Sequence, residues 1–257
     1  MSRTRTDRAH DALREPEMTA GFQRLAEGSV LYRAGGTVVL ATASVDEQVP
    51  DFLKGKGEGW VTAEYQMHPR SNPHRREKRD GRERPLGGRS REIERLVGRS
   101  LRAAINRKHL GERQIIVDCD VLEADGGTRT ASISAGFVAM ALAIDTLRKR
   151  RVLEVPIIED QVAAVSVGHV GDALLLDLCY AEDCQARVDL NLVATDQGQV
   201  VEIQGTAEGR AVPRQDLDKM IDLGLEGIRT ICARQRAVLE SYGVPLNRLL
   251  RSIPPQT

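Results

Sequence analysis

At 257 residues, with 41% apolar and 29% charged side chains, the chain has the composition of an ordinary globular protein and the length to bury a sizeable core. Its 37 basic and 37 acidic side chains cancel, which excludes a uniformly basic nucleic-acid coat. The sequence shows neither an apolar run of about 18 residues nor an export leader, so a cytoplasmic protein without a membrane partner is expected.

Residues 1–16 are polar and predict a weakly ordered N-terminal segment or a partner-contacting arm. The run GSVLYRAGGTVVLATASV predicts two strands joined around Ala34, Gly35 and Gly36, a hairpin signal, and GWVTAEY a further strand. Residues 70–95 follow, with ten Lys or Arg against five Asp or Glu. Such a segment is either a solvated loop or a landing strip for a polyanion, whose phosphates its side chains would neutralise. Ile93, Leu96, Val97, Leu101, Ala104 and Ile105 share one face at helical spacing, which predicts a helix over residues 90–108. Arg89 lies just before it, where a guanidinium can meet an anion at a helix N-terminus.

RQIIVDCDVLEA is a strand, and EADGGTRTAS follows it directly. Glycines expose backbone N–H groups, Thr128 and Thr130 offer hydroxyls, Arg129 offers a planar fork, and a helix starts next with Ile133, Phe137, Met140, Ile144 and Leu147 on its apolar side. Two readings stand: an anion site, or a strand-to-helix turn capped by Asp125 or Thr128. After Pro156 come four strand-like runs, VAAVSVGHV, ALLLDLCY, VDLNLVATD and QVVEIQGTA. A last helix over residues 214–241 places Leu217, Ile221, Leu225, Ile228, Cys232, Gln235 and Leu239 on one stripe. Each half is strands followed by helix, an α+β pattern. The expected organisation is a body over residues 17–242, in halves of about 17–155 and 156–242, with a weakly ordered tail or partner-contacting arm at 243–257.

Asp189 interrupts the alternation of Val188, Leu190 and Leu192 and so faces away from their apolar side, with Asn191 beside it. Asp183 precedes it across a turn. Converging there, the two carboxylates could hold Mg²⁺ or move a proton; apart, they are surface acids of a hairpin. Asp118 and Asp120, two apart on one strand face, are a rival pair that lacks an arginine-bearing loop. Cys119, Cys179, Cys184 and Cys232 show no CxxC spacing and read as buried free thiols. The glycine loop lacks GxxxxGK[ST], which removes a nucleotide kinase.

AEGSVL, FLKGKGEGWVTAEY, GGRSREIERLVGRSLRAA, GERQIIVDCDVLEADGGTRTAS and EIQGTAEG, in that order, resemble the signature runs of the bacterial ribonuclease PH family over roughly residues 20–240. The resemblance implies two βαβα-type halves in one compact body and a homo-hexameric ring, a trimer of dimers. It implies a phosphate-dependent 3′-to-5′ exoribonuclease, a tRNA nucleotidyltransferase, that trims tRNA precursors and releases nucleoside diphosphates. Arg89, Gly127, Thr128 and Arg129 match that family's phosphate-binding positions, and Asp183 and Asp189 its active-site pair associated with Mg²⁺ and proton handling. Arg70, Arg75 and Arg76 lie in the loop that grips tRNA. An inactive RNA-gripping ring subunit of the same fold is the alternative.

Overall fold

A computed structural model describes residues 5–73, 76, 87–209 and 211–251. Arg75 lies outside the described residues, as does most of the basic segment; Arg70 and Arg76 are described and exposed. In chain order the first half holds β1 (Glu17–Ala20), β2 (Gly28–Ala34), β3 (Thr37–Asp46), β4 (Trp60–Met67), α1 (Gly88–Ala103), α2 (Arg107–Leu110), β5 (Gln114–Glu123) and α3 (Thr128–Lys149). The second half holds β6 (Val162–Val170), β7 (Ala173–Leu176), α4 (Tyr180–Asp183), β8 (Val188–Thr195), β9 (Val200–Ala207) and α5 (Arg214–Ser241). Both halves run strands, helix, strand, helix, the expected α+β order.

The first sheet is ordered β1-β2-β3-β5-β4, with only β4 and β5 parallel; the second is β7-β6-β8-β9 and antiparallel throughout. Period-two alternation on β5 turns Ile115, Val117, Cys119 and Val121 into the core. α1 and α3 cover the core face of the first sheet, α3 also meets one face of the second sheet, and α5 packs on the other face of that second sheet. α3 is apolar all round because it packs on β2, β3 and β6 together. Its length and hydropathy would also suit a membrane span, but 89% of that window is buried inside the protein, so it is a core helix.

Several expectations shift for identifiable reasons. The helix expected over residues 90–108 breaks at Ala104, where Asn106 accepts a hydrogen bond from His109 N–H at 3.2 Å and starts α2. On α5 the buried stripe begins at Met220 rather than Leu217, which is exposed. Gly224 and Gly227 are what permits this: a Cβ on either would come within 3.0 Å of Leu192 or Leu176, so the helix meets the sheet through its glycines. ALLLDLCY is a strand only to Leu176, because Asp177 turns with φ +55° and Tyr180–Asp183 then form a helical turn. Cys119 and Cys232 are buried free thiols as expected, whereas Cys179 is half-buried and Cys184 exposed.

Both expected loose ends are packed within the described residues. Arg5 and Arg14 are buried, and Leu176 N–H donates to His10 O at 2.8 Å. Val244, Leu246 and Leu249 are buried, and Arg251 N–H donates to Ile158 O at 2.7 Å. Arginine-rich or short apolar segments look mobile in sequence when their partners are far along the chain.

Candidate active site

One cleft of about 360 Å³ opens between the two halves. Arg89, Gly127, Thr128, Arg129, Asp183 and Asp189 all line it, from five different elements or loops. α1 begins at Gly88, so Arg89 sits in its first turn rather than before it. Gly127 caps α3 in the left-handed region, φ +66°, which neither Asp125 nor Thr128 does. Ala131 N–H and Thr130 Oγ1 both donate to the Gly127 carbonyl, each at 2.9 Å, which closes the first turn and presents Thr128 and Arg129 at the helix mouth. The first turns of α1 and α3 thus line a cleft that also holds two guanidinium groups, Arg89 and Arg129, the setting in which helix N-termini favour an anion.

From the other half, Asp183 ends α4 and Asp189 lies near the start of β8. Leu190 and Leu192 on β8 pack against the α5 side, while Val193 packs with α3 and the first sheet; Asp189 and Asn191 share that second face. Asn191 Nδ2 donates to both Asp189 oxygens, at 3.4 and 3.3 Å.

Burial raises both aspartate carboxyls above their usual range. At Asp189 the neighbouring Asp183 charge adds to the rise, while Arg129, the Asn191 hydrogen bond and Arg89 oppose it; at Asp183, Arg89 and Arg129 oppose it. The carboxylates and guanidiniums thus feel one another across the cleft. Arg129 is held by Gln204 Oε1 at 3.1 Å and Glu92 Oε1 at 3.4 Å. Tyr65 is buried, and its hydroxyl lies 2.9 Å from Thr128 Oγ1, so β4 fixes that threonine.

Arg70 lines an adjoining groove with Asn72, Asp125 and Tyr180, and Asn72 and Tyr180 also line the cleft itself. The groove is thus continuous with the cleft on the side of the basic segment. Asp118 and Asp120 stay outside: they pair with Thr42 and Leu40 of β3 and with Glu64 and Gln66 of β4, on the sheet face opposite Cys119 and the core. Burial, then Glu64 and Asp120, push the Asp118 carboxyl up to about 6. Sequence reasoning missed Tyr65, Gln204 and Asn72, none of which carries a local signal; Asn191 was visible through its alternation with Asp189.

The models of the 3′ exoribonuclease family match this chain with domain 1 over residues 12–144 and domain 2 over residues 160–227. A protein of Syntrophomonas wolfei described as ribonuclease PH is 46% identical over 233 residues, covering 91% of this chain and 97% of that one. Among solved structures, rice (Oryza sativa) Rrp46 superposes with a TM-score of 0.73 at 18% identity, covering 91% of this chain and 98% of that one. A chain of the Archaeoglobus fulgidus exosome with RNA bound to its active site superposes with a TM-score of 0.72 at 21% identity, covering 88% and 90%.

Proposed function

The chain belongs to the 3′ exoribonuclease family, and we propose that it works as a ribonuclease PH: a phosphate-dependent exoribonuclease that trims the 3′ end of tRNA precursors, releases nucleoside diphosphates and runs backwards to extend RNA. The observation that carries this reading is the meeting of Arg89, Arg129 and the Gly127–Thr128 helix mouth with Asp183 and Asp189 in one cleft.

Attack of inorganic phosphate on a phosphodiester brings two anions together, so the site must supply positive charge and alignment more than covalent chemistry. Arg89, Arg129, Gly127 and Thr128 hold the attacking phosphate. One of its oxygens bonds to the terminal phosphorus, the bond to the preceding ribose 3′ oxygen breaks, and that oxygen takes a proton. Asp183 and Asp189, whose carboxyls burial holds above the usual range, suit that proton. One ester replaces another, so the step reverses readily.

Asp183 and Asp189, which line the same cleft, would supply the one or two carboxylates beside which Mg²⁺ usually keeps water and takes substrate oxygens. When bound there, the ion would add positive charge at the phosphoryl centre. The remaining proposals concern the assembly: a homo-hexamer, as a trimer of dimers, in which Arg70, Arg75 and Arg76 grip tRNA. The inactive-subunit alternative is disfavoured because both arginines and both carboxylates face the same cleft.

The deciding experiment incubates a 3′-extended tRNA with the protein and Mg²⁺, with and without phosphate, and identifies the released nucleotide. Diphosphates that appear only with phosphate are expected. Monophosphates released at an undiminished rate without phosphate would establish a hydrolase instead.

A further inference from the structure

Arg14, from the N-terminal arm, lies outside the cleft lining and lines a small cavity that Asp177 and the cleft residue Gly127 share. Its Nε and Nη2 donate to Asp177 Oδ2 and Oδ1 at 3.0 and 2.6 Å, and its own N–H donates to Asp177 Oδ2 at 2.8 Å. The same guanidinium donates from Nη1 to Asp125 O at 2.5 Å and from Nη2 to Gly126 O at 3.5 Å. One buried fork therefore spans two segments more than fifty residues apart: the glycine loop, and the residue that begins the path to Asp183. In a trans peptide, fixing a carbonyl points the next N–H the opposite way, so these bonds turn the N–H groups of Gly126 and Gly127 away from Arg14. Thr37 Oγ1 assists by donating to Gly126 O at 2.7 Å.

The two segments also touch directly. Tyr180 N–H donates to Asp125 Oδ1 at 3.1 Å, and a Cβ on Gly126 would lie 2.4 Å from Leu178 O. Further along the arm, Arg5 is paired bidentately with Glu182, the neighbour of Asp183, through Nε to Oε1 at 2.7 Å and Nη2 to Oε2 at 2.8 Å. Glu182 Oε2 in turn accepts from Cys179 N–H at 3.0 Å and so closes α4. Asp177, held by Arg14, is one of two non-glycine residues with positive φ among the described residues, a conformation that persists only where its surroundings impose it.

We propose that the N-terminal arm is a built-in strap for the active site, in which Arg14 is a positioning residue that holds the phosphate-cradling glycine loop in register with the Asp183 turn through Asp177. The inference rests on the phosphate site described above. Arg14 acts through the backbone of the loop, so its loss weakens phosphate capture while leaving the RNA-gripping surface untouched.

The test titrates inorganic phosphate against a short single-stranded oligoribonucleotide with the full-length protein, Arg14→Lys and Asp177→Asn. Lysine keeps the charge and loses the fork; asparagine keeps the shape and loses the charge. The half-saturating phosphate concentration should rise on the order of tenfold in each, the scale seen when outer partners of a site are removed. Oligoribonucleotide affinity should stay put. Without RNA, the rise in melting temperature that phosphate produces in the wild type should move to correspondingly higher phosphate. A merely structural arm would scale the rate down at every phosphate concentration and leave the half-saturating value where it was, and that result overturns the strap. If Arg14→Lys does not fold, Asp177→Asn decides by the same reading. A wild type indifferent to phosphate removes the phosphorolytic function and the strap together; a phosphate-dependent wild type with unmoved variants removes the strap alone.

Discussion

Asp189 and Asp118 are both half-buried acids on strands, and their surroundings separate them. Asp189 faces Arg129 and Asp183 in the cleft, so Asp189→Asn, which removes charge at constant size, should lower turnover by at least about two orders of magnitude with RNA binding retained. Asp118→Asn should leave turnover near wild type, since that side chain points from the opposite face of the first sheet. Comparing single-turnover rates of the two folded variants checks the assignment, and the reverse ranking would show the wrong pair to have been chosen. Asp118 has its own signature in stability. Its carboxyl is raised by burial first and by Glu64 and Asp120 next, to about 6, so the folded state binds the proton more tightly than the unfolded chain. Stability contributed by the protonated form is present at low pH and lost as pH rises from the ordinary aspartate range through about 6. Asp118→Asn should flatten that part of a urea-midpoint profile and unfold later than wild type at pH 7. Glu182 has the opposite sign. Burial resists its ionisation, but the hydrogen bond from Arg5, the Cys179 N–H and the charges of Arg5 and Arg8 outweigh that and lower it to about 2. Its contribution is therefore present above the ordinary glutamate range and lost as pH falls toward about 2.

The glycine pairs at the starts of α1 and α3 look alike in sequence and differ in what surrounds them. Gly126 has φ +74°, and a Cβ there would strike the backbone of Leu178, Cys179 and Tyr180. Gly87 caps α1 at φ −57°, and among the described residues nothing lies within 4 Å of an added Cβ. Gly126→Ala should cost about 2 kcal/mol or more, from backbone strain plus the forced separation of the loop from the α4 turn, and should raise the phosphate requirement. Gly87→Ala should change stability by less than about 1 kcal/mol, with whatever it gains coming from the unfolded chain. Urea denaturation of both variants makes the comparison, and equal losses would show that the Gly126 loop does not need its left-handed turn. Together with α4, a single turn that Arg5 staples through Glu182, and with Asp177 ahead of it held by Arg14, these elements explain why the site can be rigid although it is assembled largely from loops and helix ends.

A tRNA must thread a single-stranded 3′ end into the cleft while its body rests on protein beyond the reach of one small subunit. Neutralising Arg70, Arg75 and Arg76 together should weaken binding of whole tRNA precursors. It should also flatten the salt dependence, by roughly 0.9 in log–log slope for each lost phosphate contact if the duplex value applies. In the proposed ring a neighbouring subunit carries part of that grip. Variants that stop at the dimer, verified by light scattering, should keep their rate on short unstructured RNA and lose most of it on tRNA precursors. Equal precursor trimming by dimer and hexamer would refute the shared grip.

Sequence by itself determined the alternation of strands and helices, the apolar side of β5, the GGTRT loop and the alternation that turns Asp189 away from Val188, Leu190 and Leu192. These features depend on period and spacing within a dozen residues, which side-chain sterics and burial impose locally. Only the tertiary structure decided that Arg89, Arg129, Asp183 and Asp189 line one cleft, since they lie on separate elements of both halves and no pattern in sequence encodes that distance. It also decided that Asp118 and Asp120 face away from it, a matter of which pleat of β5 meets α3. The N-terminal arm is the sharpest case. In sequence residues 5–16 are a polar stretch with nothing nearby to bind, whereas in the fold Arg5 and Arg14 are buried against carboxylates more than 160 positions away. A buried charge is tolerable only when it is paired, and the partner that makes it so exists only once the chain has folded.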